Sequence, residues 1–199
     1  GMSRGFIEGD MAEIWSEAEG CLKKAHELND NDFEVHRLMA EVNLSGRNFR
    51  VAERHASKAY KMVPNDPRVL SVYGEVSLRL GKIDQGLDAL KLALEIDPIA
   101  QGKTNSDSRT APVLFGEYLA RNKDNCLELV EKLEDIDSKS WLLTAKLCSD
   151  EEHDMTEEDW YKRGKEEFND KDWAAEVDSF RLNNEGAKES LIEFAESLF

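Results

Sequence analysis

The sequence predicts an all-α fold: helical hairpins stacked side by side into a right-handed αα solenoid, finished by atypical C-terminal helices. Three observations carry this. The chain repeats with a period of 34 residues, and small residues recur at fixed columns of that period. Its composition, 40% hydrophobic and 34% charged over 199 residues, suits helices with one buried stripe and a solvated back.

The elements follow in order. Met11 to Asn29 reads as the second helix of a unit whose first helix is truncated or irregular. That half unit, with Gly1 ahead of Met2 reading as the remnant of a cleaved tag, predicts a longer array upstream. The segments Asp32–Pro64 and Asp66–Pro98 then align at the same 34-residue offset throughout. Ala40 falls on Gly74, Ala52 on Gly86, Ala56 on Leu90, Ala59 on Ala93 and Pro64 on Pro98. One period earlier, Ala18, Leu22, Ala25 and Asp30 continue the columns. Small side chains belong where two antiparallel helices cross closely, because larger ones push the axes apart. Leu38, Met39, Leu44, Leu70, Tyr73 and Leu78 supply the apolar stripe of the first helices. Gly46 and Gly81 are the expected left-handed turn residues. Pro64 and Pro98 stop the second helices, and Asn29–Asp32 and Asn65–Asp66 supply caps for the next ones.

After Pro98 the pattern loosens. Gln101 to Arg109 reads as an exposed polar loop. A degenerate hairpin follows, Ala111–Arg121 and Asn125–Ile136, with Gly116 expected at the crossing position. Further helices are expected over Ser138–Ser149, from a loose capping box at Thr156–Asp159, and near Asp172–Phe180 and Glu185–Phe199. The organisation predicted is residues 1–98 as hairpins, 99–149 as degenerate hairpins, and 150–199 as an acidic helical cap packed in the same domain. Leu191, Ile192, Phe194, Ala195 and Leu198 give the last helix an apolar stripe with which to cap the open end of the stack.

The period, the aligned small residues and the closing prolines resemble the tetratricopeptide repeat over roughly residues 11 to 98. Residues 32–98 and 169–199 together resemble the C-terminal repeat region of bacterial adenylate/guanylate cyclase-like proteins. That resemblance implies a cyclase domain upstream and a role in partner binding, self-association or regulation. No cyclase residue carries over, since this chain has neither a strand signal nor a metal-binding aspartate pair.

Charge narrows the function classes. The formal charge is -16, from 42 acidic and 26 basic residues, and residues 150–199 carry -11 of it. Such a surface repels nucleic acid and anionic lipid. No apolar run approaches the roughly 20 residues that span a bilayer, and the N-terminus lacks a signal-peptide core. Cys21, Cys126 and Cys148 are too few and too scattered for a disulfide frame, so a cytoplasmic setting with free thiols is expected.

Chemistry is hard to find. Gly102-Lys103-Thr104 imitates a phosphate loop, but Asp97 stands where the first glycine belongs and no strand precedes it. His36 and His55 lie on the two helices of one hairpin and can approach each other, yet no further spacing completes a zinc set. Asn29-Asp30-Asn31-Asp32 lacks the glycine and glutamate of a calcium loop. Asp150–Asp154 reads as a solvated acidic loop. No nucleophile has a base beside it. Catalytic residues, metal and cofactors are therefore all expected to be absent.

What remains is a surface for another protein. In tetratricopeptide arrays the first helix of each pair lines the binding face. Those columns hold Glu34, Arg37, Glu41 and Ser45, then Arg68, Ser71, Glu75 and Arg79, and in the degenerate hairpin Glu117 and Arg121. Glu41 and Glu75 share the column that carries a carboxylate-clamping asparagine in co-chaperone relatives. Glutamate there disfavours a C-terminal carboxylate and favours a basic protein or peptide. Two other functions are kept: a structural segment that dimerises or spaces a catalytic domain, and a small-molecule or metal site in the C-terminal third.

Overall fold

A computed structural model of the chain describes the backbone of residues 4–98, 109–133, 135–180, 182 and 184–199, with side chains from residue 16 onward within those ranges. The described residues form eleven α-helices and no strand. The chain divides into two compact units, Gly1–Ala93 and Leu94–Phe199.

The first unit holds α1 (Arg4–Leu28), α2 (Phe33–Ser45), α3 (Phe49–Met62), α4 (Pro67–Arg79) and most of α5 (Ile83–Ile96). α1 is one continuous helix that begins seven residues before the expected start at Met11. Its neighbours begin on the predicted caps. Asp32 accepts hydrogen bonds from the Glu34 and Val35 amides, and one period later Asp66 accepts from Arg68 and Val69, ahead of Pro67 at the first helical position.

Close crossings occur where the small residues recur. Ala40, Ala52, Ala59 and Ala93 are wholly buried. A Cβ on Gly74 would lie 2.6 Å from Leu90 Cγ, and one on Gly86 would lie 2.9 Å from the Gly74 carbonyl. Where the first pairs Ala40 with Ala56, the second pairs Gly74 with Leu90, so a smaller residue on one helix admits a larger one on the other. Stacked Tyr60 and Tyr73, 4.4 Å apart, join the neighbouring hairpins.

The turn residue in the first hairpin differs from expectation by one position. Gly46 has an ordinary φ of -78°, and Arg47 takes the left-handed place at φ 61°. Arg47 stands one period before Gly81, at φ 75°. Both turns close with the same long backbone bond, Asn48 N–H to the Asn43 carbonyl and Lys82 N–H to the Ser77 carbonyl. The asparagine and aspartate run before α2 is helix punctuation: Asn29 accepts from the Asn31 amide and Asp32 caps α2.

The second unit holds α6 (Thr110–Leu119), α7 (Lys123–Glu131), α8 (Ser138–Asp150), α9 (Asp159–Glu167), α10 (Trp173–Ser179) and α11 (Glu185–Ser197). α6 and α7 repeat the hairpin with an altered period. The left-handed turn residue is Arg121, φ 59°, and Asn122 N–H closes onto the Glu117 carbonyl. Gly81 and Arg121 are 40 positions apart, against 34 between Arg47 and Gly81. This register moves Gly116 off the crossing column. Leu114 stands at the Gly74 place and Cys126 at the Gly86 place. Both are wholly buried, and the Cys126 thiol lies 3.8 Å from the Leu114 carbonyl. Of the expected polar loop, 101–108 lies outside the described residues, as does Gly102-Lys103-Thr104. Arg109, just beyond it, pairs with Asp97 at 3.0 Å.

An aromatic core organises the rest of this unit. Trp141 of α8 is wholly buried, with ring centroids 5.6 to 6.1 Å from Tyr161, Phe168, Trp173 and Phe199. Its indole N–H donates to the Tyr161 carbonyl. Gly164 of α9 lets the backbone rest against that indole, since a Cβ there would lie 2.2 Å from Trp141 Cδ1. Leu191 and Ala195 bury α11 on α8. Lys188 ties α11 to α10 through Asp178 at 2.9 Å. The expected capping box at Thr156 does not form. Thr156 is bonded to Asp154 in a separate turn, and α9 begins at Asp159 without a side-chain cap. α7 also ends at Glu131, five residues before the expected Ile136.

Candidate partner-binding face

The face formed by α2 and α4 carries a ladder of charges laid down by the repeat. Four residues separate Arg37 from Glu41, and three separate Glu34 from Arg37, so all three share one side of α2. Arg37, with only 11% of its side chain exposed, donates two bonds to Glu34, at 2.8 and 3.0 Å, and a third to Glu41. The Arg37 guanidinium holds the Glu34 carboxyl below the usual range. Burial raises the carboxyl of Glu41 against the pull of Arg37, and the charges of Glu34 and Glu75 raise it further.

Arg68 extends the ladder to α4. It is gripped by Asp66 at 2.8 Å and reaches Glu34 at 3.4 Å, linking two first helices one period apart. The Ser71 hydroxyl donates to the Pro67 carbonyl one turn back at 2.9 Å. Glu75 and Arg79 continue along α4, both partly buried. The guanidinium of Arg37 is thus surrounded by protein carboxylates, and Glu75 on the neighbouring helix adds like charge beside Glu41.

Glu117 and Arg121, expected to lengthen this row, do not belong to it. Under the 40-residue register Glu117 occupies the column of the buried Ser77, and Phe115 takes the place of Glu75. Glu117 is 2% exposed and accepts from Asn125 at 3.0 Å. Arg121 is the turn residue and pairs with Asp150 at 3.0 Å. The surface reading of Glu117 is therefore corrected, since it is interior, while Arg121 is exposed but sits at the turn and not in this row.

Two of the three thiols are buried, whereas Cys21 is exposed. Burial pushes the Cys126 thiol up to about 12 and the Cys148 thiol up to about 11, so both remain protonated and poor nucleophiles at neutral pH. Asp150 is held by Lys146 and Arg121, and Glu151 by Lys123 at 3.3 Å. No group of three His, Cys, Asp or Glu among the described residues is arranged to hold a metal ion. None of the described helices is long and apolar enough to cross a membrane. An open depression of about 530 Å³ borders α9, lined by Glu131, Glu158, Lys162 and Arg163 together with Trp160, whose buried indole nitrogen has no hydrogen-bond partner.

Comparison with known proteins supports the architecture. No family model matches the chain. Over 111 residues, 52% of this chain, it is 28% identical to cellulose synthase operon protein C of Pseudomonas fluorescens (strain SBW25), and it spans 9% of that protein's length. Among solved structures, MamA superposes with a TM-score of 0.62 at 12% identity, covering 80% of this chain and 91% of MamA. PilF of Pseudomonas aeruginosa superposes with a TM-score of 0.64 at 16% identity, covering 94% and 83%. The fold is an all-α solenoid of tetratricopeptide-like hairpins.

Proposed function

We propose that this chain is a non-catalytic protein-interaction scaffold, and that the α2–α4 face receives a basic segment of a protein or peptide. The observation that supports it is the pairing pattern. Glu34 and Glu41 share the one guanidinium of Arg37, and Glu75 adds like charge beside Glu41. A lysine or arginine placed there would relieve the repulsion between them; a terminal carboxylate would add to it.

Peptide arrays of Lys/Arg-rich, neutral and acidic sequences, followed by affinity measurement on the best binders, test this directly. Lys/Arg-rich peptides are expected to bind best, and the double substitution Glu41→Lys with Glu75→Lys to weaken them roughly tenfold, about 1.4 kcal/mol. Equal binding of acidic peptides, or no response to the charge reversal, removes the proposal. We further propose that the fragment serves as the regulatory or assembly tail of a larger cyclase-like bacterial protein, on the resemblance of residues 32–98 and 169–199. A gene whose upstream sequence encodes no such catalytic domain would end that reading. Buried free thiols at Cys126 and Cys148 support a reducing, cytoplasmic setting.

A further inference from the structure

Three of the four histidines meet at one place in the first unit. His26 comes from α1, His36 from α2 and His55 from α3, with ring centroids 5.0, 5.1 and 5.7 Å apart. His36 is 1% exposed. Its Nε2 lies 2.9 Å from the Asp30 carbonyl and its Nδ1 lies 2.9 Å from His55 Nδ1. A carbonyl only accepts, so His36 Nε2 carries a proton. In the neutral ring, His36 Nδ1 is then a lone pair that accepts from His55 Nδ1–H. His26 Nδ1 is buried beside them with no hydrogen-bond partner.

The bonding is complete with all the rings neutral. One added proton leaves the Nδ1···Nδ1 bond in place, with His55 carrying a proton on Nε2 and a single proton between the two Nδ1 atoms, but it buries a cation among the rings; a further proton would set two N–H donors head to head across 2.9 Å. The charged groups that face the cluster give little relief. Lys58 and Arg54 of α3 are cations that oppose protonation. The carboxylate of Asp30, which favours it, is itself engaged by Lys58.

We propose that His26, His36 and His55 form a latch that fastens the last turns of α1 to the α2–α3 hairpin while the rings are neutral and releases them on protonation. Burial, then the neighbouring rings and cations, holds the His55 imidazole down at about 4 from the ordinary 6.5, and burial lowers His36 in the same sense. A lowered folded value means that the released state binds the proton first. The latch is therefore at full strength above 6.5 and weakens as pH falls from there toward 4. Carboxylates titrate mostly below this window, so the upper part of it isolates the imidazoles.

Amide hydrogen exchange, corrected for intrinsic rates, provides the test. On moving from about pH 7.5 to about pH 5.5, protection of residues 16–28 is expected to fall about tenfold relative to α4. His55→Asn keeps an N–H donor toward His36 Nδ1 and removes one titrating ring, so it is expected to lose less protection over the same step. Ring NMR of the unaltered protein gives an independent reading, with His36 and His55 still neutral at about pH 5.5 in the latched form. Equal protection at both pH values, or rings that titrate like free imidazole, would overturn the latch. So would zinc sulfate at about pH 7.5 if it protected α1 in the unaltered protein and not in His55→Asn, since the cluster would then be a metal site.

Discussion

Trp141→Ala is expected to cost about 3–5 kcal/mol of stability, the range for removing a fully buried indole. Four aromatic side chains from α9, α10 and the neighbouring segments, including Phe199 at the C-terminus, surround this ring, and none of them can fill the space without leaving another partner. The Tyr161 carbonyl would also lose its indole donor. Chemical denaturation followed by circular dichroism measures the effect. The unfolding transition should move to lower denaturant. A loss below about 1 kcal/mol would mean that the cluster is not the organising core of that unit.

The second large effect is expected at Gly86→Ala, a loss of about 1–3 kcal/mol from overpacking. The sign is informative, because alanine within a helix normally gains about 1 kcal/mol over glycine. Here the added methyl would meet Leu78 at 2.7 Å and the Gly74 carbonyl at 2.9 Å, and the carbonyl is backbone that cannot turn aside. Ala52, one period earlier, already carries that methyl in a hairpin where Leu44 is only partly buried and Ala56 replaces Leu90. Ala52→Gly should therefore cost only the ordinary helix penalty of about 1 kcal/mol plus a small void. Thermal denaturation of the pair decides it, and a stabilised Gly86→Ala variant would show that the hairpins do not nest at this crossing.

Much of this was legible in the sequence because it depends on local chemistry that repeats. Asp32 and Asp66 cap their helices through amides two and three residues away, and the small residues at 52, 59, 86 and 93 lie where two strictly periodic helices cross. The third hairpin keeps the same physics with different residues. Arginine occupies the left-handed turn, cysteine substitutes for alanine at the crossing, and the period lengthens to 40. With glycine and alanine as the only markers, Gly116 drew the alignment off register and carried Glu117 and Arg121 into the binding-face columns. A search that accepted any small residue at the crossing could have found Cys126. The aromatic core and the third histidine were beyond such reading. Trp141, Tyr161, Phe168, Trp173 and Phe199 follow no period, and His26 meets His36 and His55 only because α1 docks on that hairpin.

The placement of the aromatic rings also divides the molecule optically. Trp141, Trp160 and Trp173 all lie in the Leu94–Phe199 unit, whereas the stacked tyrosine pair lies in the other. In a Trp15→Phe background, indole emission would report melting of one half of the chain alone. The far-ultraviolet helical signal would report both halves, so a single sample could reveal whether they come apart together or in sequence.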